Sequence, residues 1–348
     1  MDDVLANLAY LYGKPVAKAK IKVKPEHFIV TEDLGFPLDG LGEHLMVRIR
    51  KTGENTSFVA NELAKACGVK SRDVSWAGLK DRHAVTEQWL SVHLPKGETP
   101  DFSAFLTRYP HIEILETTRH QRKLRPGDLR GNHFQITLTE VSDIADVEQR
   151  LNLIRERAVP NYFGAQRFGH QGNNLDEARR WGRENVRSRN QNQRSLYLSA
   201  ARSWIFNQIV SERIAKDCFD HLIEGDIVLH GDESLRVEGE AMLAQWQVLV
   251  TQGKAGISAA LAGDNALPTA GDALAIEQQC VDSEPDFMKL IRNNRMRHER
   301  RNVALKPQQL DWKLGKNEVI LNFSLDAGCF ATSLLRELVE EIPVEREF

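Results

Sequence analysis

The sequence predicts an α+β protein with a mixed, largely antiparallel sheet, and three features carry that prediction. Segments of strict apolar–polar alternation recur along the chain. Helical periodicities stand between them. The two kinds are not strung in the regular strand–helix repeat of a parallel βαβ fold. At 348 residues the chain is long enough for two domains with separate cores.

Taken in order, HLMVRIR places Leu45, Val47 and Ile49 on one face of a half-buried strand, and Leu90, Val92 and Leu94 repeat the pattern. Between them, Ser57–Cys67 has helical spacing at Val59, Leu63 and Ala66, with Gly68 as the residue that ends the helix in a left-handed turn. NHFQITL alternates Phe134, Ile136 and Leu138 as a further strand. Near Pro160 the chain changes to PNYFGAQRFGHQGNN, rich in Gly, Asn and Gln, which marks a boundary or a functional loop. A long helix is expected from Ser199 to Lys216, with Ala201, Ile205 and Ile209 on one face. Near the end, Val319, Leu321, Phe323 and Leu325 alternate again, and Leu334, Leu335 and Leu338 give a short amphipathic helix. This last piece has too little core to stand alone, so it is expected to return to the first sheet and leave the middle of the chain as an inserted domain.

Charge is divided unevenly. Phe219–Asp286 holds 13 acids against two bases, Arg236 and Lys254, so a chain of net charge −3 carries +8 elsewhere. Basic runs lie outside that block: RHQRKLRPGDLRGNHF, RRWGRENVRSRNQNQR and RNNRMRHERR. Arginines bridge phosphate oxygens, and three such runs point to nucleic acid. Arg122, Lys123, Arg125 and Arg130 are the candidates for an RNA backbone.

No apolar run approaches the roughly 20 residues that cross a bilayer, and MDDVLANLAYLYGK lacks the basic start of a secretory signal. Four dispersed cysteines without CxxC read as reduced thiols in a cytoplasmic protein. The chain has no GxxxxGK[ST], no GxSxG and no HExxH, and no histidine spacing predicts a metal site, so a cofactor-free protein is expected.

The stretch AGLKDRHAVTEQW sets Asp81 between Lys80 and Arg82, in a loop between the first helix and a strand. A carboxylate among cations stays ionised at neutral pH and can act as a nucleophile or a base. The same pattern also describes a surface ion pair or a turn cap. Phe134 and Phe330 read first as core aromatics, and Asn132 as a turn residue.

GLKDRHAVTEQW (residues 78–89) resembles the signature of the TruD family of tRNA pseudouridine synthases, G-x-K-D-[KR]-x-A-x-T-x-Q. KVKPEHFIVTEDLGF, KLRPGDLRGNHF, VPNYFGAQRFG, RSLYLSAARSWIFNQIV and GCFATSLLREL resemble further blocks in the family's order. The resemblance implies isomerisation of uridine-13 of tRNA to pseudouridine without cofactor or metal. It implies a pseudouridine-synthase catalytic domain in residues 1–158 and 308–348, and an inserted α/β TRUD domain in 159–307. Asp81 matches the essential aspartate and Lys22 the lysine that pairs with it. Phe28, Asn132, Phe134 and Phe330 match positions lining the uridine pocket, where rings stack on a displaced uracil and an amide meets its polar edge. His27 stands where Asp is commoner, and GLKDR replaces GQKDK. tRNA is the expected partner, with no membrane, no obligate protein partner and a monomeric state. The alternative is a non-catalytic RNA-binding protein or tRNA chaperone using the same cleft.

Overall fold

The computed structural model describes residues 3–346, which divide into two compact units. One gathers Val16–Arg155, Pro307–Ala331 and the chain from Leu338 onward; the other gathers the segment ending at Pro15, Glu156–Lys306 and Thr332–Glu337.

The first unit is built on an eight-stranded sheet. Its strands are β1 (Phe28–Asp33), β2 (His44–Thr52), β3 (Val74–Trp76), β4 (Val85–His93), β5 (Ile112–His120), β6 (Gly131–Leu138), β7 (Gln308–Leu314) and β8 (Val319–Asp326). They lie in the order β7-β8-β6-β1-β4-β2-β5, with β3 hydrogen-bonded to β4 off that path. β1 and β4 run parallel, and the other pairs are antiparallel. The architecture is thus the α+β fold with a mixed, largely antiparallel sheet that the alternating patterns predict.

β8 pairs along the whole of β6, from Val319 opposite Leu138 to Asp326 opposite Gly131. A Cβ on Gly131 would stand 2.1 Å from the Leu325 carbonyl oxygen, so β6 can begin this close to β8 only with glycine there. The helix α1 (Thr56–Ala66) lays Val59, Ala60, Leu63 and Ala64 on Leu45, Val47, Ile49, Leu90 and Val92. It ends as expected at Gly68 (φ +70°), where the Val69 N–H reaches the Ala64 carbonyl and the Gly68 N–H that of Lys65.

The second unit wraps helices around a four-stranded antiparallel sheet, in the order Glu233–Arg236, Ile227–His230, Gly256–Leu261, Glu299–Asn302. Its central helix runs over Gln191–Ala215, starting eight residues before the expected Ser199. Its first five residues, Gln191 to Ser195, are polar and show no apolar periodicity, but Asn190 caps them by accepting from the Gln193 N–H. The N-terminal segment packs here and not with the first sheet. Leu5 and Leu8 enter this unit's core, and the Arg336 guanidinium donates to the Leu5 and Leu8 carbonyls at 3.0 and 2.8 Å.

The acidic block is less exposed than its composition implies. Asp226 forms a bidentate pair with Arg213 (2.7 and 2.9 Å), and Glu277 pairs with Arg300 (2.8 Å), all buried. Asp220, Glu284 and Asp286 meet Arg157, Arg179 and Arg183. Part of the basic run at 179–194 is therefore neutralised by acids of this block.

Candidate active site

The site is assembled on one face of the sheet. Register places Glu32 opposite Asn132, Val30 opposite Phe134 and Phe28 opposite Ile136, so Phe28, Glu32, Asn132 and Phe134 share a face. β8 continues it, with Phe323 opposite Phe134 and Leu325 opposite Asn132.

Asp81 lies in the loop between β3 and β4. Its Oδ2 accepts from Lys22 Nζ at 2.6 Å across 59 residues of chain, and both side chains are largely covered. The Lys22 ammonium also sits 4.2 Å from the centre of the Phe28 ring, a cation–π contact that fixes the lysine from a second side. Lys22 has φ +56°, a left-handed conformation that costs a non-glycine residue about 1 kcal/mol or more. The strain is held by Arg346, which donates to the carbonyls of Ile21 (2.8 Å) and Lys22 (3.2 Å). Burial and the neighbouring Arg346 and Arg82 charges keep His83 below the usual histidine range.

Lys80 does not serve Asp81. Consecutive side chains of this extended turn diverge, and Lys80 instead runs inward to Glu32 Oε2 at 3.0 Å, where both groups are almost wholly buried. Glu32 Oε1 accepts the Trp89 N–H at 3.0 Å. The turn's backbone is pinned as well. Thr56 Oγ1 accepts the Lys80 N–H (3.0 Å) and donates to Gln88, whose amide donates to the Gly78 carbonyl (2.9 Å). Lys51 Nζ donates to the Asp81 carbonyl at 3.0 Å. A side chain held this way has little freedom to reorient.

The remaining predicted residues divide by burial. Phe28 and Phe134 are 5% and 7% exposed; their rings meet edge to face at 6.0 Å, and Phe134 stacks on Phe323 at 5.3 Å. Phe330, on the loop leaving β8, is 39% exposed, and that loop is tied back by the Ala327 N–H to the Arg130 carbonyl. Asn132 Oδ1 is buried and, among the described residues, has no hydrogen-bond partner, an acceptor of the kind a ligand satisfies.

Two residues before Asn132, Arg130 opens a cleft of about 880 Å³ lined also by Phe36, His44, Arg122, Lys123 and Arg125. The four cations are exposed. Among the described residues no acid pairs with the side chains of Arg122, Lys123 or Arg125, while Arg130 lies 3.5 Å from Asp33.

A family model for tRNA pseudouridine synthase D (TruD) matches residues 5–176 and 173–338. The chain belongs to the TruD family. Proteins named tRNA pseudouridine synthase D from Vibrio cholerae and Vibrio vulnificus are each 70% identical over the whole chain, which covers 96% and 100% of them. The one from Aliivibrio fischeri is 58% identical over the whole chain and 99% of its own length. A Methanosarcina mazei crystal structure ascribed to the same synthase, 21% identical, superposes with a TM-score of 0.72 over 95% of each chain, and so shares the fold.

In this TruD chain the signature's Lys80 is committed inside the protein to Glu32, while the partner of the Asp81 carboxylate is Lys22. Sequence reasoning missed Glu32, Lys51, Thr56, Gln88 and Arg346. For two of these a signal was present: Lys51 continues the inward positions Leu45, Val47 and Ile49, and Glu32 continues Phe28 and Val30. A charged residue in phase with a buried strand face needs a partner, and both have one.

Proposed function

We propose that this chain isomerises uridine-13 of tRNA to pseudouridine, with Asp81 as the reacting carboxylate and no cofactor. The observation that carries this reading is the Lys22–Asp81 pair, a carboxylate oriented at 2.6 Å by a cation from a distant segment and set on a turn whose backbone is pinned. In the reaction the bond from C1′ to N1 breaks and one from C1′ to C5 forms. The C5 hydrogen leaves as a proton and N1 gains one, so no electrons or phosphoryl groups are needed. Attack on C1′, attack on the uracil ring and removal of a sugar proton all require an ionised, aimed carboxylate.

The target base must leave its stack, which costs a few kcal/mol. Phe330 would supply an accessible ring for the displaced uracil. The unpartnered Oδ1 of Asn132 would accept the uracil N3–H, a donor that cytosine lacks at that position. Arg122, Lys123, Arg125 and Arg130 would take tRNA phosphates. In this reading the sheet unit is the catalytic domain and the unit containing Glu156–Lys306 is the inserted TRUD domain; the enzyme works in the cytoplasm as a monomer without an obligate protein partner.

The test is release of tritium from unmodified tRNA labelled at C5 of uridine, with the product mapped along the tRNA. Wild type should release label at position 13, and Asp81→Asn should bind tRNA with near wild-type affinity and release none. Equal release by both proteins would remove Asp81 from the chemistry. Binding without release by either would leave an RNA-binding protein.

A further inference from the structure

Lys51 occupies an inward position at the end of β2 and is 1% exposed. Among the described residues no carboxylate is paired with it. Its ammonium donates instead to the carbonyls of Glu54 (2.6 Å) and Asp81 (3.0 Å), with that of Lys80 at 3.5 Å. Its cross-strand neighbour Thr86 and the nearby Gln88 and Thr56 are uncharged. Backbone carbonyls are therefore this cation's main solvation. An apolar side chain filling the same space would be the ordinary choice for stability.

We propose that Lys51 is a positioning residue: by tying the Asp81 carbonyl to the end of β2, its ammonium fixes where the Asp81 carboxylate points. This rests on Asp81 being the reacting group. Lys22 then holds the carboxylate end of the residue and Lys51 its backbone end, so the aspartate has no freedom to swing with the turn. The charged groups facing the ammonium are Asp81 and Lys80 from the loop and Glu54 from the turn after β2, the last with His111 at 3.5 Å. Burial pushes Lys51 down to about 8, against the attraction of Asp81 and aided by Lys80, so the clamp should weaken as pH rises through about 8.

The experiment compares full-length wild type, Lys51→Met and Asp81→Asn in single-turnover tritium release at saturating tRNA, with tRNA affinity and far-UV circular dichroism measured on each. Lys51→Met should react at least 50-fold more slowly while binding tRNA within threefold of wild type. The wild-type rate should fall above about pH 8 at constant affinity, and the residual Lys51→Met activity should lack that fall. A Lys51→Met rate within threefold of wild type, or a rate loss matched by lost affinity, overturns the proposal. If methionine prevents folding, Lys51→Ala decides by the same readouts: a rate within threefold of wild type overturns the clamp. Wild-type turnover by Asp81→Asn would refute the catalytic reading itself, whereas inactive Asp81→Asn beside a fast Lys51→Met would remove the clamp alone.

Discussion

Glu32→Gln isolates the buried pair beneath the candidate catalytic turn. Gln keeps the size of Glu and an oxygen for the Trp89 N–H, but leaves the Lys80 ammonium, 4% exposed, without its countercharge at 3.0 Å. Removing one partner of a buried pair costs about 3–5 kcal/mol, because the stranded charge loses both water and its counter-ion. For a unit of this size each kcal/mol lowers the melting temperature by about 2–4 °C, so a fall of about 6–20 °C is expected. Glu32→Gln combined with Lys80→Met removes both charges and retains the Trp89 acceptor, and should return to within about 2 kcal/mol of wild type. Thermal unfolding at pH 7 on the four proteins of the cycle measures this. A Glu32→Gln variant within 1 °C of wild type, or a double variant less stable than the single-variant losses summed, would refute the account of Lys80 as an internally committed cation.

Asn132→Ala should lower kcat/KM by about 10- to 100-fold, the loss of one buried hydrogen bond to the base, in the same tritium assay; an unchanged value would take Asn132 out of base recognition. Arg122→Ala with Lys123→Ala should weaken tRNA binding and reduce the magnitude of the slope of log affinity against log salt by about 1.4 to 1.8, and an unaltered slope would remove both from the interface. In the second unit, burial and the Arg300 and Arg202 charges push His298 down to about 4, below its ordinary 6.5. The unfolded chain then takes up a proton between about pH 6.5 and 4 that the native state refuses, so stability should fall across that window as pH drops. Urea titrations at pH 7 and 4.5 should show a smaller loss for His298→Gln than for wild type.

How far the sequence could be read depended on where each residue's partner lay. Alternation at Leu45, Val47 and Ile49 and at Val319–Leu325 made the strands and the returning C-terminal segment legible, because period-two burial is a local property. The long helix was legible only from its apolar face onward, since its first turns rest on the Asn190 cap and not on a buried stripe. Asp81 and its partner Lys22 were found through the resemblance of their motifs, whereas the place of the adjacent Lys80 was not legible: only the fold turns that side chain toward Glu32. Arg346 gave no signal, because its function is to hold two carbonyls more than 300 residues away in sequence. The basic runs were equally opaque. Arg213 and Arg300 meet acids inside the protein, whereas Arg122, Lys123 and Arg125 face solvent, and composition does not distinguish the two fates.

The place of β8 in the sheet has a consequence for synthesis. It lies between β7 and β6, so until residues near Asp326 have left the ribosome, β6 presents an open edge and the face bearing Asn132 lacks Phe323 and Leu325. Pairing strands almost 200 residues apart closes a long loop late, a slow step that leaves the nascent edge exposed. The Lys22 carbonyl waits even longer, for Arg346 almost at the end of the chain. A chain that stops before β8 therefore holds Asp81 and Lys22 but lacks the strand that completes the face bearing Asn132.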